Sequence, residues 1–119
     1  MNSKSTNLQR LEAQIKQATG RDTNLDRAIF RVLAAGKHPE SAPAYTASVD
    51  SCIALIGDVL PDWHWHVGYG ARGIMPYAAL DNANAPDDDT KSRFEVSAPT
   101  VPLALLRAAV LALASQSQN

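Results

Sequence analysis

The amino-acid sequence predicts an α+β domain in the order α-α-α-β-β-β-α, with a three-stranded antiparallel sheet sandwiched between helix layers. Three observations carry this. Apolar side chains recur at steps of three and four in residues 8–18, 25–33, 49–60 and 103–113, the spacing of a helical stripe. Between the third and fourth of these stretches, Trp63-His64-Trp65-His66-Val67-Gly68-Tyr69 changes to period two, the mark of a half-buried strand. At 119 residues and 45% hydrophobic content the chain suits one domain, 1–119, and excludes two.

The elements follow in order. Leu8, Leu11, Ile15 and Ala18 line one face of a first helix over residues 6–19, stopped by Gly20. A second helix starts at Thr23 or Asn24, where Thr23 and Asp26 have the spacing of a capping box, and runs through Leu25, Ile29, Val32 and Leu33 to Gly36. Residues 1–36 thus form a helical hairpin. Residues 37–45, with Pro39, Ser41 and Pro43, read as a loop, and Thr46 is the expected N-cap of a third helix that Pro61 ends. Its shared face holds Val49, Cys52, Ile53, Ile56 and Leu60. After the Trp63 strand and a turn over residues 70–73, residues 74–80 form a second strand, which Pro76 is expected to place at an edge or give a bulge. Residues 81–91 form an acidic loop, Phe94 and Val96 face inward from a third strand over residues 93–97, and Thr100 caps a last helix reaching about Ser115. Residues 46–115 are therefore an α-β-β-β-α unit, and its three sequential strands form a meander.

Alanine is abundant, at 20 residues, so the core is thin in large side chains and self-association is expected to add stability. The formal charge is −1, far from the basic footprint of a general nucleic-acid binder. It is split, with seven basic and four acidic residues up to position 40 and four and eight after it. The single Cys52 in an apolar run excludes a disulfide scaffold and fits a reducing, cytoplasmic compartment. The polar N-terminus lacks the apolar centre of a signal peptide. Residues 101–114, broken by Arg107, are too short to span a membrane.

Few residues carry chemistry. His64 and His66 project from one side of a strand roughly 7 Å apart, close enough to share a metal if a third ligand comes from His38 or from Asp87, Asp88 or Asp89. The alternative places the tryptophans in the core and the histidines on the wetter face. Gly68 to Gly73 is glycine-rich but joins two strands, so it lacks the helix N-terminus of a phosphate-binding motif and reads as a hairpin turn; if it contacts an anion, Arg72 is the side chain to do so. Arg107 interrupts an apolar helix, as a snorkelling edge residue, as an intramolecular partner of Asp58 or Glu95, or as an anion or ligand contact at an interface. No nucleophile-base pair or paired carboxylates assemble at useful spacing, so neither enzymatic activity nor a cofactor is expected.

Tyr45-Thr46-Ala47-Ser48-Val49-Asp50, Leu60-Pro61-Asp62-Trp63-His64-Trp65 and Ala98-Pro99-Thr100-Val101-Pro102-Leu103-Ala104-Leu105 resemble the phage ABA sandwich domain family. Residues 11–26 resemble the family's usual opening, while Asp62 stands where the family favours glycine. The resemblance implies a sheet between helix layers and a phage or prophage origin, and brings no catalytic residues with it. Phage proteins of this size are often accessory proteins, including inhibitors of host antiviral defence. Two expectations follow. One is a non-enzymatic binder of a host defence protein, or an oligomeric sponge for a cyclic nucleotide with Arg72, Arg93 or Arg107 contacting the anion and Trp65 or Tyr69 stacking on a base. The other is a metal-binding protein or metal-dependent enzyme using His64 and His66.

Overall fold

The elements follow the expected order: α1 (Ser3–Gln17), α2 (Thr23–Leu33), α3 (Val49–Val59), β1 (Trp63–Tyr69), β2 (Pro76–Asn82), β3 (Arg93–Ser97) and α4 (Val101–Gln116), with 3-10 turns at Pro39–Ser41 and Tyr45–Ala47. The structure, a computed structural model, describes residues 3–70, 73–84 and 93–116. It is an α+β fold whose sheet is antiparallel in the order β1-β2-β3.

Helix α4 organises the core because it is apolar on nearly every side. Val101, Leu103, Ala104, Leu105, Leu106, Ala108, Ala109, Val110 and Ala112 are all buried in it. One side packs on β2 and β3 against Ala78, Leu80 and Val96, and the other packs on α1 and α3. The alanines let α4 approach both layers closely, so the small side chains serve packing within one chain. Each fully buried leucine contributes about 1.5–3 kcal/mol.

Among the described residues the helices pack on one face of the sheet, with α4 enclosed between that face and α1 and α3. The opposite face of the sheet leaves His64, His66, Arg93, Glu95 and Ser97 exposed.

Local signals place most boundaries, and tertiary contacts move the rest. Asp22, one residue before the expected start, caps α2 by accepting the Leu25 N–H at 3.0 Å. Asp26 is then free to turn inward, where its Oδ1 accepts the Thr46 backbone N–H at 2.7 Å. The Thr46 hydroxyl in turn accepts the Asp22 N–H at 2.8 Å. Thr46 is therefore a buried clamp between the loop and α2, and Ser48 caps α3 by accepting the Ser51 N–H at 3.1 Å. At the end of α2, Ala35 takes φ 54° and Gly36 donates its N–H to the Phe30 carbonyl at 2.9 Å. A Cβ on Gly36 would run into the Phe30 ring.

The second strand is also corrected. β2 is central, in unbroken register with both neighbours, and Pro76 neither puts it at an edge nor bulges it. The reason is position. Pro76 is the first residue of β2, where a strand tolerates a missing N–H, and its carbonyl still accepts the Ala98 N–H at 3.2 Å beyond the end of β3. Thr100 caps α4 as expected, accepting the Leu103 N–H at 3.3 Å.

Candidate functional site

Strand register sorts the candidate residues by face. Trp63, Trp65, Val67 and Tyr69 share one face with Ala78, Leu80, Phe94 and Val96, while His64, His66 and Gly68 share the other with Tyr77, Ala79, Asp81, Arg93, Glu95 and Ser97. Reading across the open face, His64 lies opposite Asp81 and then Arg93, His66 opposite Ala79 and then Glu95, and Gly68 opposite Tyr77 and then Ser97.

Arg93 is the hub of this face. One guanidinium nitrogen donates to both carboxylate oxygens of Asp81 at 2.8 Å, and the other donates to Glu95 at 3.0 Å. The hydrogen bond to Asp81 does most, and that to Glu95 next, to hold the guanidinium above its already high ordinary pKa. The Tyr77 ring lies over Gly68, where a Cβ would come within 3.1 Å of it. Beside these groups runs a groove of about 490 Å3 lined by His66, Met75, Tyr77, Arg93, Glu95 and Ser97. The β1–β2 connection borders it, closed by the Gly70 N–H donating to the Met75 carbonyl at 2.7 Å and by Gly73 at φ 70°, a left-handed position suited to glycine.

The anion-binding candidates are spread over separate surfaces. Arg93 is on the open face, whereas Trp65 and Tyr69 lie on the opposite one, toward the β1 margin and 41% and 62% exposed. Arg107 belongs to the helix layers, where its Nε donates to Glu12 of α1 at 3.3 Å. Its partner is therefore neither Asp58 nor Glu95. Arg72 lies outside the described residues, as do Asp87, Asp88 and Asp89.

His64 and His66 do share a face, and both are exposed. Among the described residues no three of His, Cys, Asp or Glu are grouped to hold a metal ion. Asp81, the carboxylate paired with His64 across β1 and β2, already has both oxygens on Arg93. Cys52 is fully buried with its Sγ donating to the Tyr45 carbonyl at 3.1 Å, and burial pushes its pKa up to about 12. A thiol held protonated is a poor nucleophile. Burial likewise raises Tyr45, with Asp58 adding to it.

Sequence reasoning missed Tyr77, Met75 and Ser97. Alternation in β3 marks Ser97 as outward-facing, but nothing local tells that register brings it beside Tyr77. No family model, curated protein or solved structure matches the chain. No described helix is long and apolar enough to cross a membrane.

Proposed function

We propose that the chain is a small phage or prophage accessory protein that acts by binding in the host cytoplasm, without catalysis, and antagonises host antiviral defence by occluding a host protein. The observation that carries this reading is the open face of the sheet. Among the described residues helices pack on the other face, and the open one presents a groove with an aromatic ring, a thioether and an array of charges. A preformed patch of this mixed kind suits a protein surface. The similarity of residues 45–50, 60–65 and 98–105 to the phage ABA sandwich family supports the phage setting, and a single buried thiol suits a reducing compartment.

Charge favours a protein over a cyclic nucleotide. Arg93 is bonded to two carboxylates, so an anionic ligand on this face has to displace Asp81 or Glu95 and meets excess negative charge when it does. Arg107 is similarly engaged by Glu12, away from the groove.

The test is phage plating on hosts carrying a panel of defence systems, with the chain expressed from a plasmid. Restored plating in at least one host, lost with Tyr77→Ala or Glu95→Lys while circular dichroism stays unchanged, is the expected result. Failure to restore plating in any host overturns the defence reading. Stoichiometric cyclic-nucleotide binding by calorimetry, lost with Arg93→Ala, would replace the host protein with a small ligand.

A further inference from the structure

Among the described residues, the outer edge of β1 has unmet hydrogen-bonding capacity. Gly70 and Met75 face each other as a hydrogen-bonded pair, so the alternation of an antiparallel ladder assigns Gly68, His66 and His64 to bonds with β2. The N–H and C=O groups of Trp65, Val67 and Tyr69 therefore point away from the sheet. Among the described residues they have no backbone or side-chain partner, and only Trp63 of the outward set is tied back, donating to the Leu60 carbonyl at 3.1 Å.

This edge lacks the devices that normally block edge-to-edge pairing. Its seven residues, WHWHVGY, include no proline, lysine, arginine or carboxylate, and the register with β2 is unbroken. Two exposed aromatics, Trp65 and Tyr69, stand beside the unpaired backbone on one face.

We infer that β1 is a self-association edge, and that a second copy of this chain pairs with it antiparallel about a twofold axis at Val67, joining two sheets into one of six strands. The strand's own pattern selects the partner and register. With Val67 opposite Val67 of the second copy, each Trp65 faces a Tyr69 across the junction, and every outward group of Trp65, Val67 and Tyr69 finds a partner, about six hydrogen bonds in all. Shifting the axis to His66 instead brings Trp63 into the ladder, although Leu60 already takes its N–H, and leaves Trp65 opposite Val67. The Val67 register also covers both exposed aromatics as cross-strand pairs, and no lysine, arginine or carboxylate on the strand opposes the approach of a second copy. This edge is distinct from the open face, so the inference stands apart from the binding function proposed above.

Sedimentation velocity over a concentration series tests it with the full chain. The wild-type protein is expected to dimerise, and Val67→Pro, which removes only an outward N–H, is expected to run as a monomer. Tyr69→Lys and Trp65→Glu are each expected to abolish the dimer, and the double variant to restore it, because each places opposite charges across the junction. Circular dichroism confirms that each variant is folded. A wild-type protein that stays monomeric at the highest concentration, or a dimer that survives both Val67→Pro and Tyr69→Lys, overturns the inference. A dimer lost in the single variants but not regained in the double one overturns the register.

Discussion

The two faces of the sheet are written in alternating residues of the same strands, yet they have opposite chemistry. On the covered face, Ala78, Leu80 and Val96 meet α4 and are buried. On the open face, His66, Arg93 and Glu95 are exposed around Ala79, which is itself at 0% exposure beneath its neighbours. The covered face holds the fold together through apolar contact, whereas the open face is organised by charge-assisted hydrogen bonds that contribute little to stability in water. A side chain's energetic weight here depends on which face its parity selects, and residue type alone does not report it.

The largest expected effect tests the covered side. Leu106→Ala, in the centre of α4 and fully buried, is expected to cost about 2–5 kcal/mol in urea unfolding. A loss below 1 kcal/mol would break the claim that α4 anchors both layers. Asp26→Ala is next, with about 1–3 kcal/mol expected, because the buried Thr46 N–H loses its acceptor. The same measurement on Thr23→Ala should show almost no change, separating the inward carboxylate from a capping box.

Alkaline pH offers a third test of the helix side. The Cys52 thiol is held near 12 against an ordinary 9.0, so the unfolded chain ionises first as pH rises. Its contribution is fully present below about pH 9 and is lost between there and about pH 12, at up to about 1.4 kcal/mol per pH unit. Thermal or urea unfolding between pH 8 and 10 should show this decline, and Cys52→Ala should flatten it. The smallest effect belongs to the open face. Arg93→Ala is expected to change stability by less than about 0.5 kcal/mol, since its ion pairs are half exposed and screened. A loss comparable to that of Asp26→Ala would erase the contrast between the faces.

Much of the architecture was legible because it rests on local rules. Period-two alternation set which side of β1 carries the histidines, Thr100 announced the start of α4, and the apolar run of the last helix announced its burial. The role of Thr46 was not legible, since a residue that looks like an N-cap becomes a long-range clamp only when α2 packs beside it. Pro76 misled for a related reason: its cost in a central strand depends on where the neighbouring strand stops. The sequence by itself determined element type and the inward or outward parity of each side chain, because both follow from backbone period and neighbouring residues. Only the tertiary structure decided that Arg107 meets Glu12, that Tyr77 joins Arg93 and Ser97 around one groove, and that the described helices pack on one face of the sheet. Those outcomes depend on register and layer order, which set distances between residues far apart in the chain and leave no trace in any short window of it.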